Sequence, residues 1–267
     1  MTSDSSFVAR VAPVAPVAPR CYLAPMWWLA ALAIGVISLA HTAPFPFLLE
    51  YAGPGRSVWH APSADGVPVI YLTYDDGPNP EATPALLGVL AREGVTATFF
   101  VIPRHVSENT ASILRQAVDD GHMIALHSHT RSLMLKPRHA LEELLDGQAD
   151  AIERLSGRRP CPLFRPHAGW RSGELYAGLD RAGYALAGWS FGMWDWNWWR
   201  PARPDRLARR LADRASDGDI VVMHDGHHVN PRADRQRTVS ATAELVPMLK
   251  ARGFRFGKLC TAVATSR

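Results

Sequence analysis

The sequence has few lysines and few cysteines, and each scarcity excludes a class of protein. Only three of its 29 basic residues are lysine, and the arginines do not form one dense run. With 25 acidic residues the formal net charge is +4, so the chain lacks the strong basic patch of a nucleic-acid-binding protein. Its three cysteines have no CxxC spacing, which excludes a zinc site made of cysteine thiolates. Cys161 and Cys260 can form a disulfide if the domain is exported to an oxidising compartment.

Charge is absent from one long stretch near the N-terminus. Residues 21–49 contain no Asp, Glu, Lys or Arg, and residues 26–40 form an apolar core. We predict that residues 26–50 enter a membrane, as a signal peptide cleaved near Ala40 or as an uncleaved transmembrane anchor. A buried helix of the domain is the alternative. Residues 1–25 contain three copies of Val-Ala-Pro and are predicted to be disordered. The rest of the chain is then membrane-anchored and extracytoplasmic, or secreted or periplasmic.

After residue 50, short apolar runs alternate with segments of helical period, which is typical of βα units around a parallel sheet. The predicted strands are 67–74, 97–102, 123–126, 162–165, 185–190, 220–224 and 254–259. The predicted helices are 84–93, 111–119, 141–155, 174–182, 204–215 and 238–252, each followed within three residues by a glycine. Seven units within residues 51–267 predict one α/β domain, an imperfect (β/α)7 barrel. An open doubly wound sheet is the alternative.

Ionisable residues follow five of the seven predicted strands, at the ends where loops converge on one site in such folds. Asp75 and Asp76 open an Asp-Asp-Gly-Pro turn. Alone, that turn would be a solvated surface feature, but here an apolar strand precedes it. Adjacent carboxylates at a sharp turn can serve one pocket, with one binding a metal and the other accepting a proton. The other polar residues of this rim are His127, His129, Arg131, Arg165, His167, Asp195, His224 and Asp225.

These residues form five ordered motifs that together resemble the polysaccharide deacetylases of the NodB-homology type, carbohydrate esterase family 4. The motifs are Thr73 to Pro78, Gly121 to Ser128, Arg165 to Gly169, Trp194 to Trp196 and Val221 to Asp225. The resemblance covers roughly residues 67–259. It implies a (β/α)7-type barrel and metal-dependent removal of N-acetyl, or less often O-acetyl, groups from a glycan.

The resemblance also implies a role for individual residues. Asp75 is expected to be the general base, and Asp76 and His127 are expected to bind a divalent metal, with zinc as the expected ion. His224 is expected to be the general acid. Arg165 is expected to tune the base, and Asp195 to orient the acid histidine.

The sequence departs from the family pattern at the third metal ligand. The second motif normally supplies another histidine four residues after the first, and here that position is Arg131. A guanidinium has no acceptor lone pair, so it cannot bind a metal. His129 is the leading candidate for the missing ligand. The alternatives are His167, His227, His228, or a weak or absent metal site.

Three further residues are predicted to bind substrate. Ala168 stands where the family usually has an aromatic residue, and a backbone N–H near His167 or Ala168 is expected to serve an oxyanion site. Trp194 and Trp196 are expected to contact the sugar, with core packing or contact with a membrane surface as the alternatives.

The resulting hypothesis is a metal-dependent deacetylase of N-acetylated sugars in an extracytoplasmic glycan. Its membrane contact would be through the N-terminal apolar segment, with no nucleic-acid partner. One alternative is a catalytically silent carbohydrate-binding barrel that lost its metal through Arg131. Another is a related C–N hydrolase of small cyclic amides.

Overall fold

The computed structural model describes residues 24–41, 57–61, 63, 65–192, 195 and 202–265. The predicted disordered segment therefore lies outside the described residues up to residue 23, as do residues 42–50 of the predicted membrane segment. The chain separates into two units, residues 1–37 and 38–267.

Helix α1 (Ala24–His41) is formed by the uncharged N-terminal stretch. Trp27 and Trp28 near its start are exposed. Within the described residues, no helix combines the length and apolar character needed to cross a membrane. The prediction of a transmembrane helix therefore finds no support in the structure.

The second unit is built on one curled sheet of parallel strands. Its order is β1-β6-β5-β4-β3-β2-β8-β7, and β9 also pairs with β2. An isolated antiparallel bridge joins His60, just after β1, to Asp219 at the start of β8. The α/β parallel architecture predicted from the alternating pattern is confirmed, as a partly closed barrel. The strands are β1 (Ser57–Val58), β2 (Val69–Asp75), β3 (Thr98–Val101), β4 (Met123–His127), β5 (Leu163–Arg165), β6 (Ala185–Ala187), β7 (Phe191–Gly192), β8 (Asp219–His224) and β9 (Arg255–Phe256).

Helices connect most successive strands, as a parallel sheet requires. The helices of this unit are α2 (Ala82–Arg92), α3 (Glu108–Asp119), α4 (Arg138–Ser156), α5 (Gly173–Arg181), α6 (Pro204–Arg214), α7 (Gln236–Ala251) and α8 (Leu259–Thr265). Three short 3₁₀ turns follow β3, β4 and β5, at Pro103–His105, Arg131–Leu135 and His167–Gly169.

The strands separate two apolar layers because successive side chains point to opposite faces. On β2, Ile70 and Leu72 pack in the larger layer, which also contains buried residues of the surrounding helices. Val69 and Tyr71 pack in a smaller layer, together with Phe100. Continuing the alternation along β2 places Thr73 and Asp75 on the same face as Val69 and Tyr71. The catalytic candidates at strand ends therefore lie on the face of the smaller layer.

The C-terminal segment differs from its prediction. The sequence predicts one strand over residues 254–259, but β9 contains only Arg255 and Phe256, and helix α8 begins at Leu259. A short apolar run does not distinguish a strand from a buried helix. Here Leu259, Cys260 and Val263 pack into the smaller apolar layer.

Cys161 and Cys260 form a disulfide, with their Cα atoms 6.1 Å apart. The bond joins α8 to the segment that precedes β5. The sequence allowed this bridge without requiring it, and the structure forms it.

Candidate active site

The strand register brings the predicted catalytic residues to one end of the sheet. Asp75, the last residue of β2, pairs with His224, the last residue of β8. His127, which ends β4, pairs with Arg165, which ends β5. By the alternation of side chains along each strand, all four side chains lie on the face of the smaller apolar layer. Two pairs of neighbouring strands thus deliver an acid, two histidines and an arginine to the same rim.

Asp75 is held by an arginine that has no exposure to solvent. Arg165 is 0% exposed, and its Nη1 donates to Asp75 Oδ1 over 2.6 Å and to Thr73 Oγ1 over 2.8 Å. Its Nη2 donates to the carbonyl of Gly188, and its Cζ lies 3.9 Å from the centre of the Phe100 ring. Burying this guanidinium is tolerated because a carboxylate and several acceptors surround it. The Asp75 carboxylate is therefore fixed in one orientation.

Asp76 turns the chain sharply at the end of β2. Its φ of 74° is in the left-handed region, which aspartate tolerates better than most residues. The carbonyl of Asp76 accepts a hydrogen bond from His105 Nδ1 over 3.1 Å. Gly226 lies directly against this carbonyl, since a Cβ there would be 2.0 Å from the Asp76 oxygen. The turn that positions Asp76 is thus held by the hydrogen bond from His105 and by close backbone contact with Gly226.

Asp76, His127 and His167 form a cluster suited to a metal ion. One ligand atom from each lies within 4.8 Å of the other two. His127 Nδ1 is 2.7 Å from the carbonyl of Arg165, which can only accept, so Nδ1 carries the proton and Nε2 has a free lone pair. This arrangement is the one commonly found for metal-binding histidines.

The electrostatics of the cluster also favour a cation. His127 Nε2 lies 3.3 Å from Asp76 Oδ1, and that buried oxygen accepts no hydrogen bond from the described residues. Burial by itself would lower the pKa of His127, but Asp75 and Asp76 raise it above its ordinary value. Burial, helped by the charges of His127 and His228, lowers the pKa of His167 to about 4. His167 is therefore neutral at pH 7, which is the form that binds metals. The residues present fit a divalent ion with mixed oxygen and nitrogen ligands.

The structure places His129 and Arg131 outside this cluster. His129 is half-buried in a neighbouring cavity whose wall also includes His127. Arg131 is exposed, with its Cζ 5.1 Å from the centre of the Trp170 ring, a cation–π contact. His129 as a ligand stays a prediction, and the geometry favours His167 in its place. A hydrogen bond supports this position of His167, because its backbone N–H donates to the side-chain oxygen Ser128 Oγ over 2.8 Å.

A histidine–aspartate pair, His224 and Asp195, lies on the β8 side of the rim. His224 Nδ1 is 2.9 Å from Asp195 Oδ1, and the His224 backbone N–H donates to Asp195 Oδ2 over 2.7 Å. Thr238 donates to the same oxygen over 2.8 Å. Burial opposes a positive charge on His224, but the Asp195 carboxylate raises the pKa of His224 to about 9. His224 is therefore a protonated imidazolium at neutral pH and can donate a proton.

Comparison with known proteins connects this geometry to a family. The family model described as polysaccharide deacetylase matches residues 63–187. A peptidoglycan-N-acetylglucosamine deacetylase of Bacillus cereus is 31% identical over 209 residues, which cover 78% of this chain and 92% of that protein. The chain belongs to the polysaccharide deacetylase family. It is accordingly a hydrolase of amide-linked acetyl groups.

Other known proteins match over similar lengths. A chitooligosaccharide deacetylase of a Bradyrhizobium species is 33% identical, over 71% of this chain and 88% of that protein. A family 4 acetyl xylan esterase of Clostridium thermocellum, solved in complex with a cobalt ion, superposes with a TM-score of 0.64. It is 26% identical, over 74% of this chain and 91% of that one. Membership of carbohydrate esterase family 4, which the five motifs predicted, is confirmed.

Of the three residues predicted to bind substrate in this deacetylase, the structure describes one, Ala168. Ala168 is exposed at the 3₁₀ turn after β5, with a φ of 50°. The neighbouring His167 N–H is already engaged by Ser128, so it is not available to an oxyanion. Trp194 and Trp196 lie outside the described residues.

The sequence assigned no role to three residues that support the site. His105 holds the Asp76 carbonyl, and Thr238 holds Asp195. Asp225 is fully buried beneath the Asp-Gly-Pro turn, where it accepts from Thr83, and burial raises its pKa to about 7. Only Asp225 carried a signal, because it directly follows His224 in the fifth motif. The other two are contacts between distant segments, which residue spacing does not reveal.

Proposed function

We propose that this protein is a metal-dependent N-deacetylase of glycans that contain N-acetylglucosamine, with O-deacetylation as a lesser activity. The observation that best supports this proposal is that the cluster of Asp76, His127 and His167 lies beside both Asp75 and His224. The relatives support the substrate class, since two of them are named for peptidoglycan and for chitooligosaccharides.

Each residue has a definite part in the proposed reaction. Asp76, His127 and His167 would hold the ion, expected to be zinc, which when bound polarises the acetyl carbonyl and acidifies a water molecule. Asp75, oriented by Arg165, accepts the proton of the attacking water. His224, oriented by Asp195, donates its proton to the nitrogen of the departing amine. The N–H of Ala168 is the proposed hydrogen-bond donor to the developing oxyanion.

The experiment that tests the activity is acetate release by the full chain from N-acetylglucosamine oligomers and from peptidoglycan. We expect release that stops with a chelator and returns when zinc is restored. Folded protein that binds no zinc when zinc is supplied, and that releases no acetate from any glycan under those conditions, would instead support the silent carbohydrate-binding barrel.

The proposed third ligand needs its own test, because His167 takes over a function that Arg131 cannot perform. We expect His167→Ala to lose bound zinc, measured as zinc per chain by mass spectrometry of the metal. His129→Ala is the matched control and should keep its zinc. Arg131→His in the His167→Ala background should recover part of the binding by restoring the family's usual ligand. Retention of zinc by His167→Ala and its loss from His129→Ala would return the assignment to His129.

We also propose that the catalytic domain, residues 51–267, is extracytoplasmic, either secreted or periplasmic after cleavage near Ala40 or held by an uncleaved segment. The disulfide between Cys161 and Cys260 supports this, because such bonds persist in oxidising compartments. The test is to fuse residues 1–50 to a reporter enzyme that is active only outside the cytoplasm. An inactive reporter would contradict export.

A further inference from the structure

A cavity of about 300 Å³ lies beside the proposed metal ligand His127. Its wall combines three parts of the fold, namely the turn after β3, the segment after β4 and helix α4. Arg104, Lys136 and Gln148 each represent one of these parts. The cavity is of the size that ligand sites occupy, and it is larger than an acetate ion requires. No residue role assigned above explains it.

The charged side chains that line the cavity are all positive. Arg104 and Lys136 line the cavity, and no Asp or Glu does. Lys136 is exposed and forms no ion pair with any residue that the structure describes. Arg104 donates to the backbone carbonyl of His228, a partner that carries no net charge. Two positive charges therefore line the cavity, and neither pairs with a carboxylate of any residue that the structure describes.

The remaining polar wall supplies hydrogen-bond donors. His129, Thr130, Ser132 and Gln148 line the cavity with imidazole, hydroxyl and amide groups. Thr130 Oγ1 and Ser132 Oγ lie 3.1 Å apart and share one hydrogen bond, so at least one hydroxyl proton of the pair is available to a ligand. Cations combined with neutral donors form the usual environment of a bound carboxylate.

We propose that this cavity binds a carboxylate carried by a sugar adjacent to the N-acetylated residue, so that acidic glycans are preferred to neutral ones. The inference rests on the proposed function and specifies its substrate class. The wall includes His127, so an anion in the cavity lies next to the site where the acetyl group reacts. Free acetate, the reaction product, carries the same chemistry and is the other source that the experiment must separate.

The test compares two disaccharide probes by titration calorimetry with the full chain. One is N-acetylglucosaminyl-N-acetylmuramic acid, which carries a lactyl carboxylate, and the other is neutral diacetylchitobiose. We expect the acidic probe to bind more tightly, with the difference shrinking as salt screens the charges. Lys136→Gln should weaken the acidic probe by about tenfold, the value of one charge-assisted hydrogen bond, and leave the neutral probe unchanged.

The control variant is Arg158→Gln, which removes an exposed cation beyond the end of α4 and outside the cavity wall. It should leave both affinities unchanged. Equal affinity of the two probes for the unaltered protein, or no effect of Lys136→Gln, would overturn the inference. Sodium acetate that binds with the same dependence on Lys136 and abolishes the preference for the acidic probe would assign the cavity to the product.

Acetate release from the same two probes separates the two proposals. If Lys136-dependent binding of the acidic probe occurs but neither probe is deacetylated, the subsite stands and the proposed function fails. If both probes are deacetylated with the same KM, the function stands and the subsite fails.

Discussion

At the scale of single residues, Asp75 and Asp76 are adjacent in sequence but have different surroundings. Asp75 Oδ1 is 2.6 Å from a buried guanidinium, whereas Asp76 Oδ1 faces the imidazole of His127. The left-handed turn at Asp76 separates the two carboxylates. The proposed general base, Asp75, and the proposed metal ligand, Asp76, can therefore be tested independently although they are neighbours in the chain.

Asp75→Asn should abolish most turnover and leave zinc bound. Removing a general base typically costs 10²- to 10⁴-fold in rate, so we expect a loss of at least about 100-fold. The measurement is kcat alongside zinc per chain, with Asp76→Asn as the comparison that should lose both. Loss of zinc from Asp75→Asn to the same extent would reject its assignment as the base.

Activity should fall as the pH rises through about 9, because His224, the proposed general acid, must be protonated to act and its pKa is raised to about 9. Asp195 is the group that raises this pKa, so Asp195→Asn should move the alkaline limb of the pH profile to lower pH. The control Asp205→Asn, on the surface at the start of α6, should leave the limb in place. An unchanged limb in Asp195→Asn would show that another group controls it.

At the scale of elements, the turn after β2 and the loop after β8 support each other. The backbone N–H groups of Asp225 and Gly226 both approach the carbonyl of Asp75. Gly226 leaves no room for a side chain against Asp76. The turn that carries the proposed metal ligand Asp76 is therefore packed against a second loop, and a change in that loop should alter metal binding.

Gly226→Ala should reduce both stability and zinc affinity, since its Cβ would lie 2.0 Å from the Asp76 carbonyl oxygen. We expect a loss of at least about 1–3 kcal/mol in the free energy of unfolding, the usual result of overpacking. Gly147→Ala is the matched control, because it lies in α4 and, apart from its chain neighbours and the nearby backbone of the helix itself, nothing is within 4 Å of the position that its methyl group would take. That variant should be neutral or stabilising by up to about 1 kcal/mol. Denaturant unfolding and zinc titration measure both effects.

The disulfide should stabilise the domain by closing a long loop. Cys161 and Cys260 are 99 residues apart in sequence. In the chain-entropy model such a loop contributes about 4–5 kcal/mol, and native disulfides typically contribute about 2–5 kcal/mol. Cys161→Ser with Cys260→Ser should therefore lower the Tm clearly in thermal unfolding. An identical Tm in the oxidised protein and the double variant would contradict this.

At the scale of the whole molecule, we expect residues 51–267 to fold without the N-terminal segment. Among the described residues, the apolar layers of the sheet are made by residues from Val69 to Val263 together with a few flanking ones, and none belongs to α1. A chain of residues 51–267 should be monodisperse in gel filtration and helical by circular dichroism. Aggregation of this chain would indicate that the segment belongs to the domain core.

Much of this fold could be predicted from sequence because its signals are local. β2 is buried along its whole length and reads as a continuous apolar run, and α4 ends at Gly157 with a φ of 78°. β1 and β7 were missed because two-residue strands have no detectable period. The site was only partly predictable, because the choice between His129 and His167 depends on how two loops meet. Neither residue spacing nor helix propensity encodes that distance.

Arg165 contributes to the site twice, once through its guanidinium on Asp75 and once through its carbonyl on His127. Mutagenesis alters only the first contribution, because every amino acid supplies a backbone carbonyl. Substitutions at position 165 would therefore reveal the effect of the guanidinium on Asp75 but not the effect of the carbonyl on His127. If His127 binds the metal as proposed, side-chain substitution at position 165 does not test the contribution of the Arg165 carbonyl. Replacing the peptide bond after residue 165 with an ester linkage, which weakens that carbonyl as an acceptor, would test it.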